Sequence, residues 1–345
     1  MSTEGGLPLV SVVMPAYNIA DYIAQSIESV LASDYANIEL IVVDDGSKDN
    51  TLAVAKEYEQ ADKRVKVLTK VNGGQGVARN FGVEASSGKY ILFVDSDDLI
   101  GSSYISKSVA ELEADETVKV VTCRGEFFDG RTGAWKLKLY SPKTLAKRTV
   151  FTISSMMRRD DFVRVGGFDS TMHNYCEDWA LWINILKDGG KVVTLPTVEF
   201  YYRVRQGSSR FTGRKYWHEL IKTLNRKFPD FFERELGGRL HSQRSMSKWL
   251  NRLSRMLSPR KAVLADGNER YKYFMLALPR ILNCSTDEGV SFGSTKVEVK
   301  PVANAKREFR KAIESGQNDV VGYYTERRYR LFKRSWLVKL KLKHK

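Results

Sequence analysis

Residues 9–94 alternate four short apolar segments with segments of helical periodicity, and this alternation limits the fold more than any other feature of the chain. The apolar segments are LVSVVM, IELIVV, RVKVLT and KYILFV. Strands that are apolar on both faces and are joined through helices are typical of a parallel sheet that helices cover on both sides. We therefore predict an α/β fold with a mostly parallel sheet flanked by helices.

The loops that follow these strands are polar and mostly acidic. They read PAYN after the first strand, DDGS after the second and DSDD after the fourth. Ligands of open α/β sheets bind outside the carboxyl ends of the strands. Because three such loops converge on one edge, the sequence predicts a binding site there.

Three carboxylates, Asp95, Asp97 and Asp98, fall within four positions of one another. Like charges this close raise one another's pKa unless a cation or hydrogen bonds compensate. Asp95 and Asp97 are two apart on an extended segment and point to the same side. Such a pair suits Mg²⁺ or Mn²⁺, with a diphosphate supplying further oxygens. The alternative is that Asp97 or Asp98 only caps the next helix.

Beyond residue 100 the alternation becomes less regular. A helix near 102–114 and the strand VKVVTC extend the sheet, and EFFDGRTGAWKL is typical of a hairpin that turns at Asp129–Gly130. The segment EDWALWINIL, residues 177–186, predicts a helix, and VEFYYRV, residues 198–204, predicts a strand.

Charge is spread unevenly along the 345 residues, whose net charge is +15. Residues 211–345 hold 31 Lys and Arg against 13 Asp and Glu. A basic region of this kind suggests an anionic partner, such as nucleic acid, an acidic polymer or a membrane face. We predict two regions, the α/β domain over 1–210 and a basic, mainly helical region over 211–345 for contacts with a partner molecule, a membrane or another copy of the chain.

The end of the chain, RRYRLFKRSWLVKLKLKHK, mixes apolar and basic residues. It fits a basic helix that lies on an anionic membrane surface, a helix that packs on the domain, or a surface for an anionic glycan. The three cysteines form no C-x-x-C pair, which suits a reducing compartment. No basic signal-peptide start and no spanning apolar run is present. We expect a cytoplasmic protein, or one peripheral at the inner face of the cell membrane.

Five segments in order resemble the catalytic domain of glycosyltransferase family 2, across residues 8–210: VSVVMPAYN, IELIVVDDGSKDNT, NGGQGVARNFGVEASSGKYILFVDSDD, GGFD and EDWALW. The resemblance implies a GT-A fold, Rossmann-like, with a nucleotide-binding half and an acceptor-binding half. It also implies an inverting, metal-dependent transfer from a nucleotide-sugar, most often a UDP-sugar. The cofactor would be Mn²⁺ or Mg²⁺, and the acceptor a glycan or lipid-linked glycan in cell-surface polysaccharide synthesis.

The resemblance gives the nucleotide to residues that follow the strands. Pro15, Ala16 and Tyr17 match the segment that cradles the base, and Asp45 matches the aspartate that hydrogen-bonds the uracil ring. Asp95 matches the ribose or nucleotide contact. The alternatives are a plain strand-ending turn for the first three and an exposed loop aspartate for Asp45.

The resemblance also assigns the chemistry of transfer. Asp97 is the expected metal ligand, and Asp98 is a second ligand or a helix cap. Asp178 is the expected base, at a helix start where the dipole favours ionised carboxylates, and it accepts the proton of the attacking hydroxyl. Glu177 hydrogen-bonds the acceptor or supports its loop. The alternative is that Glu177 and Asp178 are simply first-turn acids.

Three arginines are candidates for contacts with the diphosphate. Arg79 pairs with a phosphate through its planar fork or forms a structural salt bridge. Arg203 and Arg205 alternate on a strand and share a face, where they would stabilise the leaving diphosphate. Many members of the resembled family carry histidine where Arg205 stands, and arginine cannot ligate a cation, so we expect no metal coordination from this position.

Two other classes of protein remain as alternatives. A sugar nucleotidyltransferase of related fold is disfavoured because no early basic, glycine-rich loop for a triphosphate is present. A nucleic-acid-binding protein is suggested by the basic region alone. The chain has no recognised reading module, so we expect no nucleic-acid partner.

Overall fold

The computed structural model describes residues 6–136, 138–172, 177–205, 217–257, 290–292, 295–301, 320–324 and 336–342. These residues belong to two compact units, Met1–Lys248 and Trp249–Lys345. The first unit therefore extends beyond residue 210, where we placed the boundary between the two predicted regions.

The predicted strands of the first unit form one half of its sheet, and they run parallel in the order β3-β2-β1-β4. Their bounds are β1 (Val10–Ala16), β2 (Ile38–Asp44), β3 (Val65–Thr69) and β4 (Tyr90–Phe93). The helices between them are α1 (Ala20–Leu31), α2 (Thr51–Ala61) and α3 (Gln75–Glu84). This arrangement confirms the parallel sheet and places the loops after β1, β2 and β4 at one edge.

Helix α3 lies close against the sheet because Gly82 has no side chain. A Cβ atom at this position would stand 2.4 Å from Cγ1 of Val13 on β1 and 3.0 Å from Cγ2 of Val43 on β2. Glycine therefore lets α3 approach the strands, and the approach fixes the position of Arg79 on the same helix.

The second half of the sheet is mixed rather than parallel, and β8 joins the halves by pairing antiparallel with β4 and β6. Its strands are β5 (Leu99–Ile100), β6 (Val118–Asp129), β7 (Gly133–Trp135), β8 (Met156–Arg158) and β9 (Lys191–Val204). Its helices are α4 (Tyr104–Ala114), α5 (Pro142–Leu145), α6 (Arg159–Arg164) and α7 (Glu177–Leu186). The predicted hairpin at Asp129–Gly130 is confirmed by the β6–β7 pairing.

Two further helices, α8 (Trp217–Lys227) and α9 (Pro229–Leu236), complete the core of the first unit. Their buried residues include Leu220, Leu224 and Phe232, which belong to the same hydrophobic cluster as Trp179 and Trp182 of α7. Burial of large side chains from three helices stabilises the end of α7 on which the candidate base lies. A helix α10 (Ser247–Leu257) follows.

The described part of the second unit beyond α10 is an antiparallel sheet of order β10-β11-β13-β12. Its strands are β10 (Val290–Phe292), β11 (Thr295–Pro301), β12 (Val320–Tyr324) and β13 (Trp336–Leu342). The interfacial or packed helix that we considered for the chain end is therefore wrong for residues 336–342, which form a strand. Within the described ranges, no helix has the length and apolar character that a membrane crossing requires.

Candidate active site

The loop after β2 is built around the carboxylate of Asp45, which is buried. Its Oδ1 accepts from Nζ of Lys70 at 2.7 Å and from the backbone N–H of Gly73 at 3.0 Å. Its Oδ2 accepts from the N–H of Gly74 at 2.8 Å. Because a carboxylate oxygen has two acceptor positions, Oδ2 keeps one position for a further donor. Asp45 therefore holds the 70–74 loop and retains one acceptor position on Oδ2.

The predicted base-binding segment surrounds this loop. Pro15 and Ala16 are buried at the end of β1, and the carbonyl oxygen of Ala16 accepts from the N–H of Asp45 at 2.8 Å. Tyr17 is exposed. Of the three residues predicted to cradle the base, Tyr17 is thus the one whose side chain is open to a planar ligand.

Arg79 connects the loop after β4 with the start of α7. Its guanidinium is 2% exposed and pairs with Asp95 at 2.6 Å and with Glu177 at 3.0 Å, and it also donates to Oε1 of Gln75. Burial opposes the charge, but Asp95 and Glu177 hold the pKa of Arg79 above its ordinary value. The two carboxylates have already engaged the fork, so the structure favours the salt bridge over the phosphate contact for Arg79.

Asp178 is half-buried at the first turn of α7. Burial, and then the charge of Glu177, raise the pKa of Asp178 to about 7, while the N–H of Trp179 and Arg79 oppose the shift. That N–H donates to Oδ1 at 2.7 Å. A carboxyl with this pKa takes up and releases a proton near neutral pH, as a general base must.

The structure distinguishes Asp97 from Asp98. Oδ1 of Asp98, a residue that is 2% exposed, accepts from the backbone N–H of Arg203 at 2.9 Å. Burial, and then Asp97 and Asp95, raise the pKa of Asp98 well above its ordinary value. The side chain of Asp97 is 23% exposed. Asp98 thus faces inward and ties the loop to β9, and Asp97 is the carboxylate that an ion can reach.

Arg203 is buried, and the loop after β4, strand β6 and helix α1 all contact its guanidinium. Nε donates to the carbonyl oxygen of Asp97 at 2.8 Å, and the terminal nitrogens donate to Asp129 at 3.1 Å and to Gln25 at 2.6 Å. The guanidinium also lies over the ring of Tyr22, 4.8 Å from its centroid. Its fork thus holds the loop, and the predicted contact of Arg203 with the diphosphate stays a prediction.

Arg205 is 30% exposed and donates from Nε to Oδ2 of Asp97 at 2.7 Å. Asp97 keeps a raised pKa, because burial and the charge of Asp95 outweigh the opposing effect of Arg205. Of the two arginines predicted to share a face, only Arg205 is open to a diphosphate. Its cation stands at the carboxylate predicted to hold a metal.

Sequence reasoning missed several residues that shape this site. Lys70 follows β3 directly, so the rule that picked out the loops after the other strands would have found it. Gln25 and Tyr22 lie on α1 and gave no local signal, because their contact with Arg203 depends on tertiary packing. Trp179 and Trp182 of α7 are fully buried and belong to the core.

The donor set at Asp95 and Asp97 has the chemistry that a hard divalent cation needs. Both carboxylates are partly exposed, and carboxylate oxygens are the ligands that Mg²⁺ and Mn²⁺ prefer. Among residues with described positions, no group of three or more His, Cys, Asp and Glu side chains is arranged to hold a metal ion.

Comparison with known sequences fits this geometry. Two uncharacterized glycosyltransferases of Haemophilus influenzae are 34% identical over 187 residues and 40% identical over 249 residues. The matches cover 53% and 67% of this chain and 73% and 76% of the relatives. The family model described as "Glycosyl transferase family 2" also matches residues 11–178. The chain belongs to glycosyltransferase family 2. Other curated relatives are matched over only 34% of their length.

Solved structures show that this glycosyltransferase family 2 chain has a GT-A type fold. TarS of S. aureus in complex with UDP-GlcNAc has a TM-score of 0.55 at 19% identity, covering 79% of this chain and 78% of that one. The mannosyltransferase PcManGT of Pyrobaculum calidifontis, in complex with GDP-Man and Mn²⁺, has a TM-score of 0.53 at 18% identity, covering 81% of each chain.

Proposed function

We propose that this glycosyltransferase is an inverting, metal-dependent enzyme that moves a sugar from a UDP-sugar to a hydroxyl of a growing glycan or lipid-linked glycan. The observation that carries the proposal is the shared guanidinium of Arg79. It pairs with Asp95, which follows β4, and with Glu177, which lies 98 positions after Arg79 in the chain. The predicted nucleotide-and-metal loop and the predicted base therefore belong to one site.

Binding of the uracil base is supported by the loop around Asp45. Oδ2 of Asp45 retains one acceptor position, which suits the single imide N–H of uracil. Tyr17 supplies an exposed aromatic face beside it. The complex of TarS with UDP-GlcNAc agrees with a uridine donor.

Asp178 is the base of the proposed reaction. Oδ1 accepts the N–H of Trp179, which fixes the carboxylate and leaves Oδ2 for the acceptor. As the acceptor oxygen attacks the sugar on the face opposite the diphosphate, Oδ2 accepts the hydroxyl proton. A base with a pKa of about 7 is ionised often enough for this step and strong enough to drive it. Glu177 positions the base through its pairing with Arg79.

Mn²⁺ or Mg²⁺ would be held by Asp97, with Asp95 beside it. When bound, the ion supplies positive charge that stabilises the departing diphosphate. Arg205 adds a second positive charge at the same edge. Asp98 and Arg203 act through the loop, since their contacts with each other and with the carbonyl oxygen of Asp97 set the direction in which Asp97 points.

Release of UDP is the direct test of the proposed function. Purified full-length chain is incubated with a panel of UDP-sugars and Mn²⁺, with glycan and lipid-linked acceptors, and UDP is assayed before and after EDTA. We expect UDP release that EDTA abolishes and added Mn²⁺ restores. Release of pyrophosphate instead would identify a nucleotidyltransferase, and no release from any nucleotide-sugar would contradict the proposal.

A further inference from the structure

A pocket of about 440 Å³ lies in the second half of the sheet of the first unit, where the sheet is interrupted. Strand β6 pairs with β8 at Val120 and Val121 and with β7 from Gly125 onward. Between these points, residues 122–124 pair only with β9. All three line the pocket. Its volume falls in the range of roughly 300–1,000 Å³ that is usual for small-molecule sites.

The lining of this pocket, which we call the β6 pocket, carries an excess of positive charge. Arg124, Lys136 and Lys138 line it, and Glu126 is the one acid among the lining residues that the structure describes. Arg124, Lys136 and Lys138 are all exposed. Within the described part of the chain, none of these three cations has a hydrogen-bond or ion-pair partner. Cations that converge on a concave site without neutralising partners raise the local concentration of anions.

The position of Arg124 is set by an irregularity of the sheet. The register between β6 and β9 shifts on both sides of this residue, and such bulges redirect a side chain. Three other lysines of the same unit, Lys89, Lys107 and Lys191, each pair with a carboxylate at 2.6 Å. The three cations of the β6 pocket have no such partner among the described residues.

Aromatic side chains form other parts of the lining. Trp135 and Tyr140, both half-buried, supply apolar surfaces against which a sugar ring can pack, and the buried Phe151 also lines the pocket. Phe151 contacts Trp182 edge-on, with 4.8 Å between ring centroids. Trp182 lies four residues, about one helical turn, after Asp178 on α7. The β6 pocket thus adjoins the helix that carries the proposed base.

We propose that the β6 pocket binds an anionic saccharide, one whose sugar units carry carboxylate or phosphate groups, as the part of the acceptor away from the attacking hydroxyl. This rests on the proposed transferase function. Arg124, Lys136 and Lys138 bind the anionic groups through charge-assisted hydrogen bonds, and the aromatic residues pack against the sugar rings. Neither the cations nor the aromatic lining alone requires a saccharide, but an anionic saccharide would contact the cations with its charged groups and the aromatic residues with its rings.

Calorimetric titration of the full chain, without donor, tests this proposal. The probes are trigalacturonic acid for carboxylates, mannose 6-phosphate for phosphates, and maltotriose as a neutral saccharide. The pocket variant combines Arg124→Gln with Lys138→Gln. The matched control combines Lys63→Gln with Lys66→Gln, two exposed lysines at strand β3 on the far edge of the sheet. UDP with Mn²⁺ is titrated into the same samples to assess the donor site separately.

We expect at least one anionic probe to bind wild type, maltotriose to bind far more weakly, and the pocket variant to lose about tenfold or more in affinity while the control loses less than about twofold. A preference between the anionic probes identifies the group recognised. Equal losses in both variants, equal binding of maltotriose, or no binding of either anion would overturn the proposal. Because saccharide binding is measured without donor, a failure of UDP binding contradicts the transferase function and not the pocket.

Discussion

Nε of Arg205 donates a hydrogen bond to Oδ2 of Asp97, 2.7 Å away. The guanidinium of Arg205 is therefore paired with the carboxylate that would bind the proposed metal. A divalent ion that binds Asp97 must compete with this pair, and Arg205 would then be released toward the diphosphate.

Removal of this competition is expected to tighten metal binding. We expect Arg205→Gln to bind Mn²⁺ about two- to fivefold more tightly than wild type in calorimetry without nucleotide, which is what the loss of a partly exposed ion pair allows. The control is Arg164→Gln, which breaks the Arg164–Asp161 pair on α6 and is expected to leave Mn²⁺ affinity unchanged. Weaker Mn²⁺ binding by Arg205→Gln would show instead that the arginine supports the site.

Asp97 and Asp98 are expected to differ sharply in the same titration. Asp97→Asn removes the exposed carboxylate, so Mn²⁺ affinity should fall by about tenfold or more, as for the loss of a charged contact. Asp98→Asn keeps an oxygen that can accept the N–H of Arg203 and should change Mn²⁺ affinity by less than about threefold. The reverse order would make Asp98 the ligand and would contradict the loop-holding role that its burial indicates.

Arg79 is expected to be important for stability as well as for the site. Arg79→Met leaves the carboxylates of Asp95 and Glu177 without their buried partner, and we expect a loss of about 3–5 kcal/mol in the free energy of unfolding by urea. Arg64→Met is the matched control, because Arg64 pairs with Asp62 at a partly exposed position. Its cost should stay below about 1 kcal/mol. Similar costs for both variants would show that Arg79 contributes no more than a surface pair.

The pKa of Asp178 predicts how activity depends on pH. Because the base must be ionised, kcat/KM should fall as pH drops through about 7 and level off above it. Glu177→Gln removes a charge that raises the pKa of Asp178, and it frees Arg79 to lower that pKa further. The acidic limb of the profile should therefore move to lower pH in this variant. A limb that moves to higher pH would contradict the assignment.

The same shift predicts a pH-dependent cost in folding stability. The pKa of Asp178 rises from 3.8 to about 7 on folding, so the protonated form is favoured in the folded state. The cost is absent below pH 3.8, grows as pH rises toward 7 and is complete above it, on the order of 4 kcal/mol at most. Asp178→Asn should therefore raise Tm more at pH 8 than at pH 5 in calorimetric scans. Equal gains in Tm at both pH values would show that folding does not raise the pKa of Asp178.

Sequence reasoning succeeded where the physical signal was local. The strands β1 to β4 were predicted because a parallel sheet buried on both faces requires continuous apolar runs. Helix α7 was predicted over residues 177–186, the range it occupies. Acidic loops were placed at the correct edge because strand direction alone determines where the carboxyl ends meet.

It failed where contacts between distant segments decide the outcome. Alternation on β9 placed Arg203 and Arg205 on one face, and both guanidiniums do lie over the ring of Tyr22. The sequence could not show that Arg203 is buried, because its burial depends on Gln25 of α1 and Asp129 of β6. We considered a helix at the chain end although the sequence there carries a local signal for a strand. Val338, Leu340 and Leu342 alternate with lysines at the period of a strand. There the abundance of leucine and lysine suggested a helix, and β13 pairs with β11 and β12 instead.

Sugar transfer by Asp178→Asn, measured as UDP release from the preferred UDP-sugar in the presence of Mn²⁺ and acceptor, tests the central claim most directly. Asparagine keeps the shape of the side chain and cannot accept the proton of the attacking hydroxyl. We expect UDP and Mn²⁺ to bind as in wild type, and transfer to fall by about 10²- to 10⁴-fold, the usual contribution of a general base. Transfer at the wild-type rate would contradict the account.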